Sequence, residues 1–227
     1  MYFERFYNDW HKNAQGNRSH EIRDRDFMVL NYLKGCKSLF ELGVGSGVVL
    51  KMSDASNLAG VDVSKNAIKI AEKLLNEGHA KSVDLKVLNI DNDELLWESK
   101  SFDGAMAVEV LEHLFDPVHA LSEMNRILKP NGKLVITVPN IGYFPCRWYH
   151  LKSGEMSDFH GNGMIVNEHI RFYSTRSLKI LLEAGGFEVV TIKGCMKKIV
   201  NSQGASINPL NSSSVKKIDV LRHLKGL

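Results

Sequence analysis

The chain has 227 residues, 44% of them hydrophobic and 24% charged, with a formal net charge of +3. That length suits one α/β domain with an insertion or cap and is cramped for two full domains, and no apolar run is long enough to cross a bilayer. Cys36, Cys146 and Cys195 are too scattered for a disulfide framework or a cysteine zinc site, and the opening Met1–Trp10 lacks the basic and apolar regions of a signal peptide, so the expectation is a reduced, cytoplasmic protein.

Residues 1–35 read as a helical N-terminal cap. Phe3, Phe6, Tyr7 and Trp10 fall at helical spacing, and a second stripe runs from Ile22 through Phe27, Val29, Leu30 and Leu33 to a stop at Gly35. From there strands and helices alternate, which predicts βαβ units and a parallel sheet. The predicted strands are 38–44, 58–63, 83–88, 102–108, 133–138 and 187–192. Helices start at Val48, behind an N-cap at Ser64, at Asp116-Pro117 and behind Ser174, the last ending at Gly185-Gly186. Pro130-Asn-Gly132 is turn chemistry.

Two segments break that rhythm. Residues 141–172 carry aromatics and glycines without a clean period and follow the fifth strand, the place for a lid or substrate insertion. Asn201–Ser214 is rich in Ser and Asn and reads as a linker. Residues 196–227 read as a basic tail: seven basic residues and the single acid Asp219 lie between Lys193 and Leu227, and 215–224 has the pattern of a basic amphipathic helix. Such a tail is either a solvated face or a surface for phosphate or membrane.

The chemistry begins at Glu41-Leu-Gly-Val-Gly-Ser-Gly47. Three alternating glycines after an apolar strand let a ligand approach the turn and the following helix start. A dinucleotide site wants a small residue where Val48 stands, which disfavours NAD. Glu41 would repel a pyrophosphate but can pair with an ammonium group. Asp62, at the end of the second strand, can accept ribose hydroxyls, and Asp91, after the third, can take an exocyclic amine.

With Val61-Asp-Val-Ser64, Phe102-Asp103, Glu109-Val-Leu-Glu-His-Leu114 and Leu128-Lys-Pro-Asn-Gly-Lys133, these residues resemble the successive motifs of class I S-adenosylmethionine-dependent methyltransferases, in order over residues 36–193. The resemblance implies a Rossmann-like, doubly wound, mostly parallel sheet. It places Gly43, Gly45 and Gly47 around the methionine moiety, Glu41 near its amine, Asp62 and Val63 at the ribose, Ile90 and Asp91 beside the adenine, and Val108 and Glu109 in the cleft near the methyl group. Relatives usually end with a seventh, antiparallel strand, which the pattern here does not reveal.

On the acceptor side, His169 in Asn167-Glu-His-Ile-Arg-Phe-Tyr173 is the first candidate for a general base and His113 the second. Arg171 is a salt-bridge or anion-reading candidate, and Tyr143, Trp148, Tyr149, His150 and His160 are stacking candidates. The leading expectation is O-methylation of a small molecule such as a sugar or nucleotide-sugar, by a monomer or homodimer, with no resident metal. One alternative is a metal-assisted RNA 2′-O-methyltransferase using Glu109, Glu112 and His113, whose spacing resembles the E-x-x-E-H of small-RNA methyltransferases. The other is a cofactor-binding module without chemistry. The acceptor's identity lies in residues 141–172.

Overall fold

All six predicted strands form, and the sheet they make includes one more that the sequence pattern hid. The computed structural model describes Asp9, residues 22–154 and 169–194, and the backbone of 199–200, 206–207 and 217–223. The N-terminal aromatics Phe3, Phe6, Tyr7 and Trp10, and His160 of the insertion, lie outside the described residues. In chain order the elements are α1 (Asp24–Leu33), β1 (Ser38–Leu42), α2 (Val48–Lys51), β2 (Asn57–Asp62), α3 (Lys65–Asn76), β3 (Ser82–Val87) and β4 (Phe102–Val108). A 3-10 turn (Leu111–His113) follows, then α4 (Pro117–Ile127), β5 (Leu128–Pro139), α5 (Phe144–Ser153), α6 (Thr175–Ala184), β6 (Glu188–Lys193), β7 (Ile199–Val200), β8 (Ser206–Ile207) and β9 (Lys217–His223).

Seven strands form one sheet in the order β3-β2-β1-β4-β5-β9-β6. The first five pair in parallel, while β9 lies antiparallel between β5 and β6. The order reverses between β1 and β4, and in open α/β sheets ligands bind at the carboxyl ends of the strands beside such a switch point.

The strand at 217–223 corrects the helix expected over 215–224. Lys217-Ile-Asp-Val-Leu-Arg-His has apolar residues compatible with both periods, so the local pattern cannot choose. Tertiary context chooses: without β9, facing edges of β5 and β6 would keep unpaired amides and carbonyls. The insertion expected to lack regular structure contains α5, a helix of ten residues closed by Gly154 in the left-handed conformation.

Local signals held where they were strong. The Ser64 hydroxyl accepts from the amide of Ala67 at 3.2 Å, the Asp116 carboxylate accepts from that of His119 at 2.9 Å with Pro117 in the first turn, and Ser174 caps α6. Both faces of the sheet are covered. Phe40, Ala105, Ala107, Ile136 and Val138 pack with residues of α4 and α6 on one face, and Leu39, Met106 and Val135 pack with Val29, Leu33, Ile68, Ala71 and Leu75 on the other.

The Phe102-Asp103 motif belongs to the amino end of this sheet. Asp103 Oδ2 accepts from the amides of Lys37 and Ser38 and from the Ser38 hydroxyl at 2.9–3.0 Å, while Oδ1 meets Lys129 Nζ at 2.7 Å. Partial burial acts to raise its pKa, but Lys129 and Ser38 outweigh it and hold the carboxyl at about 2.

Two expectations follow from these contacts. Val220→Pro removes a ladder donor from β9 and lowers the unfolding free energy by ~1–3 kcal/mol in urea denaturation; a helix at this position facing solvent would show a smaller effect. Because the Asp103 pKa is depressed, its contribution is complete above about pH 4 and disappears as pH falls toward 2. Asp103→Asn is therefore less stable than the parent near neutrality, and the difference closes on acidification.

Candidate functional site

At the carboxyl end of β1 the chain turns through three glycines with positive φ. Gly43 adopts φ +74°, and a Cβ there would lie 2.5 Å from Val110 Cγ2. Gly45 adopts φ +53°, donates its amide to Asp62 Oδ2 at 2.8 Å, and has open space where a side chain would stand. Gly47 is the left-handed N-cap of α2. Asp62 Oδ1 accepts from the amide of Ser64 at 2.8 Å, so this one carboxylate braces the glycine turn against the start of α3. Val63 is half-buried beside it.

Glu41 sits in β1 beneath the turn and is 2% exposed. Its Oε2 is buried and has no hydrogen-bond partner among the described residues. Burial pushes its carboxyl well above the usual carboxylate range; Asp26 and Asp62 push the same way, and Arg25 opposes them.

Arg25 was not singled out by the sequence. It lies on α1 at 5% exposure, with Asp26 at 0% beside it. Its Nε bonds Asp26 Oδ1 at 3.1 Å and its NH1 faces Glu109 Oε2 at 3.2 Å. Burial acts to lower the guanidinium pKa, but Glu109, Asp26 and Glu112 more than reverse that, so Arg25 remains charged. The signal was present: Arg25, Val29 and Leu33 are four apart and all face the core. Glu109 itself has φ +57°, a conformation few non-glycine residues adopt. Its amide donates to the Thr137 carbonyl at 3.0 Å and its Oε1 accepts from the Thr137 hydroxyl at 3.1 Å.

The acceptor-side residues converge from distant parts of the chain. The amides of Ile170 and Arg171 donate to the carbonyl of Glu112 at 3.0 and 3.1 Å, which lays the end of the insertion along the turn after β4. The His113 and His169 rings meet edge to face at 4.7 Å between centroids. His169 Nε2 lies 4.0 Å from Glu112 Oε1, a charge contact rather than a hydrogen bond. Glu112, His113 and His169 each offer one ligand atom within 4.8 Å of the others. Of the trio weighed as an alternative metal site, Glu109 with Glu112 and His113, Glu109 is turned to Arg25 and Thr137, while His169 lies with the other two.

The remaining candidates make contacts within the chain. Asp91 Oδ1 accepts from the Asp116 amide at 2.8 Å, and Ile90 is buried in the core. Val108 is half-buried at the end of β4. Arg171 makes neither a salt bridge nor an anion site among the described residues: Nε donates to the Leu114 carbonyl at 2.8 Å and NH2 to that of Phe115. Tyr173 donates to the Leu111 carbonyl at 3.1 Å, and burial pushes its hydroxyl up to about 12, which removes it as a base. Tyr143 is buried, whereas Trp148 and Tyr149 are exposed on α5, where His150 is half-buried.

The sequence profile of the methyltransferase domain family matches residues 14–192. This chain belongs to that family. A ubiquinone biosynthesis O-methyltransferase from Pelagibacter ubique is 29% identical over 51% of this chain and 48% of its own length. The chain spans about half the length of the curated relatives it matches, from 45% to 64% for four of them. Among solved structures, a SAM-dependent methyltransferase from Thermotoga maritima superposes with a TM-score of 0.61 at 25% identity over 98% of both chains. One from Archaeoglobus fulgidus gives 0.65 at 21% identity over 94% of this chain and 98% of its own. The fold is that of the class I methyltransferases, and the cofactor the family implies is S-adenosylmethionine. Two features fit that group: the orphaned carboxylate oxygen of Glu41 suits a ligand cation, and the space over Gly45 suits close approach of a ligand to the backbone.

Arg25 is the test of this geometry. Arg25→Met removes the guanidinium that faces buried Asp26 and half-buried Glu109, and it lowers stability in chemical denaturation by ~1–3 kcal/mol. Adding Glu109→Gln restores part of the loss, because it removes one of the stranded charges.

Proposed function

We propose that this methyltransferase-family protein transfers the methyl group of S-adenosylmethionine to the hydroxyl of a small molecule. The observation that carries the reading is the His113–His169–Glu112 cluster at the carboxyl end of β4, beside the glycine turn. Glu41 and the turn from Gly43 to Gly47 hold the amino-acid end of the donor, with Asp62 and Val63 at its ribose. Ile90 and Asp91 border the base, and Val108 and Glu109 line the cleft.

When bound, the donor supplies an activated methyl on a sulfonium and departs as the neutral thioether, S-adenosylhomocysteine. The protein's task is to place the acceptor oxygen in line and to remove its proton. His169 accepts that proton. Glu112, 1% exposed and 4.0 Å away, stabilises the imidazolium that results, and His113 packs edge-on to fix the ring. Arg171, through the carbonyls of Leu114 and Phe115, keeps the His169 segment against the cleft. A sugar or nucleotide-sugar, expected from the insertion, is one such acceptor. The O-methyltransferase among the relatives supports oxygen as the atom methylated.

A second reading, metal-assisted transfer to an RNA 2′-hydroxyl, draws support from the ligand geometry of Glu112, His113 and His169. Against it, part of the basic tail that would have met phosphate is committed to the sheet as β9.

His169→Ala separates the readings. For metal-free base catalysis it lowers kcat by ~100–10,000-fold with donor affinity unchanged, measured by transfer of labelled methyl to a candidate acceptor. Calorimetric titration with manganese shows no binding to the parent. A manganese heat that His169→Ala abolishes, together with metal-dependent methylation of RNA, would favour the second reading instead.

A further inference from the structure

The acceptor side of the cleft carries a helix that the described structure leaves largely uncovered. α5 follows β5 at the carboxyl edge of the sheet, and Phe144, Trp148 and Leu151, exposed by 67%, 50% and 77%, recur four and three residues apart on one helical face. The Phe144 and Trp148 rings stack at 6.3 Å, Lys152 Nζ lies 5.2 Å over the Trp148 ring, and Tyr149 is exposed beside them. Phe115 and Ile170 are also exposed, on the two segments that hydrogen-bond to one another around His113 and His169.

Within α5 itself the charged side chains are Arg147 and Lys152, with no Asp or Glu, and the next acids in the sequence are Glu155 and Asp158. On α5, Arg147 and Lys152 are exposed among the aromatic side chains.

We infer that α5 is a docking surface for an anionic phospholipid bilayer and that it turns the acceptor cleft toward the membrane. Trp and Tyr place an apolar body in the acyl region and a polar tip among headgroups. Lys and Arg lay their stems along the same surface and leave their charge at the phosphates. α5 carries no acid of its own to repel those phosphates. A ten-residue helix is far too short to span, so the contact is in the plane of the interface. The inference deepens the proposed function, giving it an acceptor carried in or on a membrane. It rests on that function only for the acceptor, since docking requires neither donor nor methyl transfer.

The test is sedimentation of the full chain with phosphatidylcholine vesicles prepared with and without phosphatidylglycerol. The chain pellets with the anionic vesicles, the tryptophan emission shifts to the blue, and Trp148→Phe removes the shift. Arg147→Gln with Lys152→Gln lowers partitioning by about thirtyfold, equivalent to ~1 kcal/mol per cation. Phe144→Ser with Leu151→Ser abolishes sedimentation while the thermal midpoint and the affinity for S-adenosylmethionine stay at parental values, because both side chains are exposed. Failure to sediment with either vesicle, or sedimentation that these variants leave unchanged, overturns the inference. Donor calorimetry on the same preparation keeps the two ideas apart: vesicle binding without donor binding refutes the proposed function and leaves the docking surface standing.

Discussion

A buried carboxylate must be paired, protonated or met by a cation, and near the carboxyl end of this sheet the Arg25 guanidinium lies among buried Asp26, Glu41 and Glu112 and half-buried Glu109. Arg25 answers Asp26 and Glu109 directly and lies in the field of Glu112. Glu41 is left with burial and two neighbouring acids against it, and its Oε2 meets no protein donor among the described residues. Glu41 therefore has room for a cationic partner. A donor bearing an ammonium and a sulfonium supplies one, whereas a pyrophosphate would add negative charge.

The fold makes that arrangement possible. The switch point between β1 and β4 opens the cleft, Asp62 ties the glycine turn to the start of α3, and the Asp103–Lys129–Ser38 network secures the opposite end of the same strands. Helix α1 is tied to the candidate site, because its Arg25 reaches Glu109 at its positive-φ corner. The pairing of Ile170 and Arg171 with the Glu112 carbonyl does the same on the acceptor side: it brings a histidine from beyond the insertion onto one from the turn after β4.

What could be read from the sequence was local. The Gly43–Gly47 turn, the caps at Ser64, Asp116 and Ser174, and six strands announce themselves within a few residues, because each is set by φ, by a side chain reaching the next turn, or by an apolar run. What could not be read depends on residues far apart. β9 is a strand because β5 and β6 leave a gap for it. Arg25 resembles one more charge on a helix until Glu109 is placed opposite. The bond from the Asp116 amide to Asp91 joins residues twenty-five apart in the chain. His169 is a candidate from its motif alone, but its contact with Glu112, and the turn of Glu109 toward Arg25 and Thr137, depend on the folded chain.

The most direct test of this account is calorimetric titration of S-adenosylmethionine into the parent chain and into Glu41→Gln, a substitution that keeps the shape and removes the charge. The account predicts stoichiometric binding to the parent and an affinity about tenfold weaker in the variant, the loss of one charge-assisted contact of ~1.4 kcal/mol. Absence of binding to the parent, or equal affinity in the two proteins, would contradict it.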